Sequence, residues 1–454
     1  MDIVIMGMGT LGQFLASTFC NDKHDVTVLD TSADALNDMK KSVDAMTVLG
    51  NGAFVENLNK AGVESADFFI AVGNDDAANI HACHAARILG AEHIICSLSS
   101  ERYFDASIGL PPEKLGINHV VVPQKECVDQ IINAIDHHLV LERIAFNIPD
   151  ASITAFKATP ESPLIDTKLK DFPDHDLISA IRFAAIIRNE EIIAPRGDTF
   201  VMEGDEIYIA GKRGDVDAMI EWATPDENGG KRKKKRVIVA GCSKQGLLML
   251  GELASRGYDV RMVEKDEEIT EAAINELNAK MLVLDGDPSD GDVLDEAGVS
   301  KTDVFVAMGD DDESNILSSI LAKKMGAEKV VAVTNKEEYP PLIRQMRMID
   351  CGFSKWLVAG NSILRHVSSV NRTHTRAMLH RAEAFVSEFI LGKNSPLVGR
   401  QIDQCDLPES TVLSLVFRNG ETLIPSGDLV LIENDIVTAI TTQDSERRLV
   451  KLFK

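Results

Sequence analysis

Residues 1–14 read MDIVIMGMGTLGQF, in which an apolar run meets a glycine-rich turn with the spacing Gly-x-Gly-x-x-Gly. A strand that ends on such a turn and leads into a helix is typical of a phosphate-binding βαβ unit, because the helix N-terminus presents free N–H groups to an anion. Gly7 would permit the turn, Gly9 would let a pyrophosphate approach the backbone, and Gly12 would let helix and strand pack closely. We therefore predict a nucleotide site that includes Gly7, Met8, Gly9, Thr10, Leu11 and Gly12.

An acidic residue, Asp30, stands at the end of the second predicted strand. A carboxylate at this place accepts hydrogen bonds from ribose hydroxyls and repels a 2′-phosphate, which favours NAD or an adenine nucleotide over NADP. Ligands of parallel sheets lie across the carboxyl ends of the strands. The residues that follow the other predicted strands therefore complete the first site: Asn51, Gly73, Asn74 and Ser99. The neighbouring Asp75-Asp76 pair fits helix N-caps equally well.

The second half of the chain repeats the first. The turn returns as GCSKQG at residues 241–246, and Glu264 follows it at the spacing that separates Gly7 from Asp30. AVGNDD at residues 71–76 returns as AMGDDD at 307–312, and two later segments return in the same order. A repeat of this length indicates a tandem duplication.

The second copy of the turn is less regular than the first. Ser243 replaces the middle glycine and brings a Cβ to the place where a phosphate would come nearest, while Lys244 adds a cation that suits ADP or ATP. The predicted second site consists of Gly241, Cys242, Ser243, Lys244, Gln245, Gly246, Glu264, Asp287, Gly309 and Asp310. For either site the alternative is a packing turn in a sheet that has lost its ligand, and the 310–312 acids fit N-caps as well.

Each half first alternates apolar strands with amphipathic helices, a pattern that predicts a parallel, doubly wound α/β sheet. Short strands with Pro and Gly turn signals follow and predict a small α+β domain. The predicted units are a sheet domain at 1–123, a connecting helix at 124–143, a small domain at 144–224, a basic linker at 225–235, a sheet domain at 236–355, a connecting helix at 356–379 and a small domain at 380–454. The linker fits a solvated segment or a contact with anionic lipid or an acidic partner.

Composition narrows the class of protein. The 454 residues carry a formal net charge of −24, which argues against nucleic-acid binding because phosphate contacts need clustered cations. No apolar run reaches the length of about 18 residues that a membrane-spanning helix needs. The 7 cysteines form no Cys-x-x-Cys pair, which favours a reduced, cytoplasmic protein.

No catalytic set accompanies the predicted nucleotide sites. Tyr208 and Lys212 have the spacing of a helical Tyr-x-x-x-Lys pair but fall in a predicted strand, where they would lie too far apart. His81 and His84 lack a further ligand pair, so we predict no metal. Nucleotide sites without catalytic residues favour a sensor over an enzyme. The alternatives are an NAD-dependent oxidoreductase and a nucleotide-binding scaffold for another membrane partner.

The two turns with their acids, the paired segments at 71–76 and 307–312, and the order of the four domains resemble the TrkA family. These are cytosolic regulatory proteins of bacterial Trk-type potassium uptake systems, built from tandem RCK (regulator of potassium conductance) units. Each unit has an N-lobe and a C-lobe, and the resemblance covers essentially the full length.

The resemblance implies that the N-lobes bind NAD(H), with ADP or ATP as further ligands. It implies a homo-oligomeric ring at the inner face of the cell membrane, beneath a potassium-translocating subunit of the TrkH/TrkG type, with nucleotide identity gating ion flow. The 124–143 helix would pack its apolar face on a neighbouring subunit. Family members often carry an arginine in the turn and another after the fifth strand. In this chain Thr10 stands in the first turn, and Ser99 and Asn335 follow the fifth strand of each half. The missing cations weigh against a triphosphate in the first site.

Overall fold

Two copies of one architecture follow each other along the chain. A computed structural model gives the structure, and it describes residues 1–104, 109–136, 140–145, 148, 150–172, 175–188, 191–224, 235–242, 244–277, 281–336, 339–346, 348–371, 375–379, 384–408 and 411–453. The predicted basic linker lies outside the described residues up to residue 234.

The first sheet domain contains a six-stranded parallel sheet of order β3-β2-β1-β4-β5-β6. Its strands are β1 (Asp2–Met6), β2 (Asp25–Asp30), β3 (Met46–Leu49), β4 (Phe68–Ala71), β5 (His93–Ser97) and β6 (His119–Val121). Its helices are α1 (Thr10–Asn21), α2 (Ala33–Ser42), α3 (Val55–Lys60) and α4 (Asp76–Leu89). This order confirms the predicted doubly wound fold and puts the topological switch between β1 and β4, where ligands of such sheets bind.

A connecting helix and the first small domain follow. The helix is α5 (Pro123–Asp136), and the domain contains β7 (Val140–Ala145), β8 (Ala151–Lys157), α6 (His175–Ser179), β9 (Ile181–Arg188), β10 (Glu191–Ile193), β11 (Glu206–Lys212) and α7 (Arg213–Ala223). The strands form an antiparallel sheet of order β10-β9-β11-β8-β7.

The second half repeats this plan. The second sheet domain has order β14-β13-β12-β15-β16-β17, and the second small domain has order β18-β19-β22-β20-β21. The sheet domain contains β12 (Arg236–Ala240), α8 (Lys244–Ser255), β13 (Asp259–Glu264), α9 (Glu267–Leu277), β14 (Leu282–Asp285), α10 (Gly291–Glu296), β15 (Val304–Ala307), α11 (Asp312–Lys324), β16 (Lys329–Thr334), α12 (Tyr339–Met346) and β17 (Cys351–Ser354). The connecting helix is α13 (Lys355–Asn371), and the small domain contains β18 (Thr375–Met378), β19 (Ala384–Ile390), β20 (Thr411–Arg418), β21 (Glu421–Leu423), β22 (Ile436–Thr442) and α14 (Gln443–Phe453).

Both connecting helices are shorter than predicted. α5 extends to Asp136 and not to residue 143, because residues 140–145 pair with β8 as a strand. α13 extends to Asn371 and not to residue 379, because β18 pairs with β19. Strand pairing with a later segment overrides the local helical pattern in both places.

Each connecting helix completes the core of the other half. α13 contributes Ala359, Ile363, Leu364 and Val367 to the cluster that contains β1, β2 and α1. α5 contributes Val128, Ile131, Ile132 and Ile135 to the cluster that contains β12 and α8. Gly360 makes the α13–α1 approach possible, since a Cβ there would lie 2.4 Å from the Phe14 ring. The predicted contact of the 124–143 helix with a neighbouring subunit is therefore wrong for the α5 residues named above, because the second half of the same chain covers them.

The two small domains also contact each other through their sheets. Ala184 and Ala185 of β9 and Tyr208 of β11 share an apolar cluster with Leu415 of β20 and Ile440 of β22. Exchanged helices and stacked sheets thus join the two halves into one body. Within the described residues, no helix is long and apolar enough to cross a membrane.

Candidate nucleotide sites

The first glycine turn is held by contacts that only glycine permits. Gly7 has a φ of +102°, and a Cβ there would lie 2.6 Å from the backbone nitrogen of Gly73. A Cβ on Gly12 would lie 1.9 Å from the carbonyl oxygen of Gly7. The turn after β1 therefore touches the loop after β4, and α1 lies directly against the turn. These contacts bring three predicted site residues together at the topological switch.

Gly9 differs from the other two glycines. It is exposed and has a φ of −69°, which any residue adopts, and a Cβ there would meet no protein atom within 4 Å. It also occupies the N-cap of α1, where no side chain accepts a hydrogen bond from the first turn. The fold itself therefore does not require glycine here. The open space lies against free N–H groups and the positive end of a helix dipole, the arrangement that favours an anion.

Asp30 joins the turn to the next helix. Its Oδ2 accepts a hydrogen bond from the Met8 backbone N–H at 2.6 Å, and its Oδ1 accepts one from the Ser32 N–H at 2.7 Å. An ionised carboxylate offers about four lone-pair sites. Asp30 therefore retains acceptor capacity beside the turn, at the place where the sequence predicts a ribose.

Asn79 fixes the loop after β4. Its Oδ1 accepts from the Gly73 N–H at 3.1 Å, and its Nδ2 donates to the carbonyl oxygens of Gly73 at 2.8 Å and Ser97 at 3.0 Å. This fully buried side chain ties the carboxyl ends of β4 and β5 together. No role was assigned to Asn79 from the sequence, although a polar residue inside an apolar helix face is a signal of such a role.

The remaining first-site predictions lie on loops along the same edge. Asn74 and Asn51 are exposed, and Asn51 Oδ1 accepts from the Ala53 N–H at 2.8 Å. The backbone N–H and hydroxyl of Ser99 both bond the Asp76 carboxylate. Asp75 caps α4 by accepting from the Ala78 N–H at 3.0 Å, so the capping interpretation holds for this residue.

The second turn repeats the first with small changes. Gly241 has a φ of +78°, and a Cβ there would lie 2.6 Å from Gly309. Glu264 Oε2 accepts from the Cys242 N–H at 2.5 Å, and its Oε1 accepts from the N–H groups of Lys265 at 2.8 Å and Asp266 at 3.0 Å. Among the described residues, three backbone donors thus bond Glu264, whereas two bond Asp30. Less acceptor capacity remains in the second site.

The other second-site residues have mainly structural contacts. Asn315 repeats Asn79 by bonding Gly309 and the Val333 carbonyl oxygen. Asp311 caps α11, and Asp310 is exposed. Hydrogen bonds from Ser289, together with Lys265, lower the pKa of Asp287. Ser243 lies outside the described residues, Lys244 begins α8, and Gly246 packs against Gly241.

The structure adds one residue of each connecting helix to the second site. The α5 thiol of Cys127 faces Gln245 of the turn, and burial raises its pKa to about 12. Lys355 begins α13, with its Nζ 4.9 Å from the Trp356 ring centre. Burial lowers the pKa of Lys355, and Asp310 and Asp312 oppose that shift. Sequence spacing gave no signal for either residue, because neither belongs to the turn.

In the described residues, the candidate catalytic pair and the candidate metal ligands do not form a site. Tyr208 lies in β11 and donates to Glu142 Oε1 at 3.0 Å, which confirms the strand and excludes a helical pair with Lys212. No group of three His, Cys, Asp or Glu side chains that could hold a metal ion occurs in the part of the chain that the structure describes.

Fold and sites together define a class of protein with two Rossmann-like domains, each followed by a small antiparallel domain. The TrkA-N domain family matches residues 3–123 and 237–351, and the TrkA-C domain family matches residues 153–224 and 386–454. The chain belongs to the TrkA family of potassium uptake proteins.

Curated relatives agree over the full length. The Trk system potassium uptake protein TrkA of Halomonas elongata is 31% identical over 459 residues, covering 100% of this chain and 99% of the relative. The protein of the same name from Azorhizobium caulinodans is 28% identical over 463 residues, covering 100% and 99%. These relatives are named as potassium uptake proteins and not as enzymes, in agreement with the predicted absence of catalysis.

Solved structures share the fold. The GsuK RCK domain superposes with a TM-score of 0.62 at 16% identity, covering 100% of this chain and 94% of the other. The GsuK channel bound to NAD gives a TM-score of 0.63 at 16% identity, covering 100% and 78%. The predicted tandem RCK architecture is confirmed by this likeness.

Proposed function

We propose that the chain is the nucleotide-sensing regulatory subunit of a Trk-type potassium uptake system, with NAD(H) as the ligand of its first sheet domain. The observation that carries the proposal is Gly9. Its backbone faces open space at the N-terminus of α1, and nothing in the fold accounts for the missing side chain. A pyrophosphate fits there because it needs both close approach to the backbone and free N–H donors.

The ligand preference follows from Asp30. Its carboxylate is fixed by Met8 and Ser32 and retains lone pairs for ribose hydroxyls, whereas a 2′-phosphate would be repelled. For the second site we propose weaker binding, or ADP or ATP in place of NAD(H). Glu264 there has less acceptor capacity left, and the sequence has Ser243 in place of the middle glycine.

The partner in this proposal is a membrane-embedded potassium-translocating subunit of the TrkH/TrkG type, which the chain meets as a homo-oligomeric ring at the inner face of the membrane. Family membership and the RCK fold support the assignment. A ligand changes such a ring only by binding its conformations with different affinity. α1 begins at the nucleotide turn and packs on α13, so it provides a direct mechanical link from the first site to the second half.

Isothermal titration calorimetry with NADH, NAD⁺, ADP and ATP tests the proposal, using the wild-type chain and Gly9→Asp. Aspartate is a favoured N-cap residue, and its side chain has room, so the variant keeps its thermal stability. Its charge occupies the phosphate position, so NADH affinity falls at least 100-fold. Ser243→Asp puts the same charge at the corresponding position of the second turn and should leave the high-affinity NADH binding event unchanged. Unaltered NADH binding by Gly9→Asp would remove the first site from the proposal.

A further inference from the structure

Two histidine rings stack between the first sheet domain and α13. His119 begins β6 and His366 lies on α13, with ring centres 4.2 Å apart and planes inclined by 7°. A third histidine, His93, begins β5 and packs against Phe68 with ring centres 5.1 Å apart. The contact by which α13 completes the core of the first half therefore includes a cluster of three histidines.

The equivalent contact of α5 with the second sheet domain contains no histidine in the described residues. Lys329 occupies the strand position of His93, since it pairs with Val304 as His93 pairs with Phe68. Its Nζ donates to the carbonyl oxygens of Ala134 and Val140, each at 2.7 Å. Cys351 likewise occupies the strand position of His119. Of these side-chain types, only histidine has an ordinary pKa between 5 and 8.

The surroundings of the pair favour neutral rings. Burial lowers the pKa of His119 to about 4, and His366 and Arg365 add to that shift. Burial also lowers the pKa of His366, with His93 contributing. The charged groups near Arg365 are Glu126 on α5 and Glu388 on β19. Met1, with its α-amino group, and Cys20 of α1 pack against the same apolar cluster.

We propose that the contact between the first sheet domain and α13 is a pH-sensitive junction, which opens when His119 and His366 take up protons. α13 leads directly into β18, so opening would loosen the link from the first sheet domain to the second small domain. The junction of α5, built on Lys329, stays closed over the same range. This inference depends on the described contacts and not on nucleotide binding.

The direction follows from linkage. The closed junction holds the histidines neutral, whereas an opened junction lets them titrate near their ordinary pKa of about 6.5. Between pH 6.5 and about 4 the opened state therefore binds more protons, and the closed state loses stability as pH falls. Over this range the opening equilibrium rises up to about tenfold per pH unit for His119, and uptake of a proton by His366 adds to the rise.

Hydrogen exchange measured by mass spectrometry on the full chain tests the proposal. Protection factors, corrected for the intrinsic pH dependence of exchange, are compared between pH 7.5 and pH 5.5 for peptides from α13 and α5. We expect protection of α13 to fall at least tenfold while protection of α5 stays constant. An equal loss in both helices, or none in α13, would overturn the proposal.

The double variant H119F/H366F keeps two stacked aromatic rings and removes the titratable nitrogens. Its α13 protection should be independent of pH, whereas the exposed-site control His81→Gln should behave as the wild type does. If α13 protection in the double variant kept the wild-type pH dependence, the proposal would be refuted. If the double variant does not fold, titration of the His119 and His366 rings in the wild-type chain, followed by NMR, tests the proposal instead. Rings that titrate at pH 6.5 in the intact protein would refute it, and rings neutral down to pH 5 would support it.

Discussion

At the scale of single residues, the three glycines of the first turn have different physical reasons to be glycine. Gly7 has a positive φ and touches Gly73, and Gly12 lies against the turn that it follows. Gly9 has an ordinary φ and open space. The sequence predicts a different role for each of the three glycines. The contacts in the structure show that the fold requires glycine at Gly7 and Gly12 but not at Gly9.

Gly12→Ala should destabilise the chain by about 3 kcal/mol, because overpacking at a backbone contact forces the turn and α1 apart. The new Cβ would start 1.9 Å from the Gly7 carbonyl oxygen. The measurement is the urea unfolding transition of the full chain. Gly246→Ala is the matched control, since its Cβ would lie 3.1 Å from the Gly241 oxygen and calls for a smaller adjustment. Equal losses in the two variants would contradict the geometric reason.

At the scale of elements, both small domains contain an arginine–aspartate ion pair with a buried carboxylate, which the duplication has kept. Arg188 of β9 bonds both oxygens of Asp205, at 2.8 and 2.7 Å, and Asp205 also accepts from the Met202 N–H. Arg418 and Asp435 repeat this arrangement in the second small domain. Each pair ties a strand to the loop before β11 or β22, so it fixes the turn at which the sheet doubles back.

Asp205→Ala should cost about 3 kcal/mol of unfolding free energy, because it leaves Arg188 and a backbone N–H without their buried acceptor. Asp205 is 1% exposed. Asp198→Ala provides the control, since Asp198 pairs with Lys170 at the surface and its loss should leave the unfolding midpoint unchanged. Chemical denaturation of the two variants side by side measures the difference. Similar midpoints for both would show that the Arg188 pair does not hold the domain.

At the scale of the whole molecule, the chain is one folded body and not two units in a row. α13 fills the core beside α1, α5 fills the core beside α8, and the sheets of the small domains stack. The apolar face of each connecting helix is therefore satisfied only when both halves are present. Because α5 and α13 each pack on the other half, each glycine turn directly contacts the connecting helix of the opposite half.

Residues 1–224 expressed alone should not form a stable monomer. The segment exposes the face of α5 that α8 covers and the face of α1 that α13 covers. Because the halves are copies, two such segments can exchange α5 and form a symmetric dimer. Sedimentation velocity should detect a dimer or larger species at micromolar concentration. A monodisperse, cooperatively folded monomer would contradict the idea that the halves depend on each other.

Local sequence determined much of this protein. The apolar runs, the two Gly-x-x-x-x-Gly turns and the acids at Asp30 and Glu264 predict the two parallel sheet domains, because these signals depend on neighbours within one βαβ unit. The short strands with turn signals predict the small α+β domain after each. The capping role of Asp75 and the strand position of Tyr208 also follow from adjacent residues.

Tertiary structure alone decided how the halves combine. The ends of α5 and α13, the exchange of these helices, the partners of Asn79 and the stacking of His119 on His366 depend on residues far away in the chain. A hydrophobic pattern shows which face of a helix is buried but not which surface covers it. The same apolar stripe suits a neighbouring subunit or the other half of its own chain, and shape complementarity in the folded molecule makes that choice.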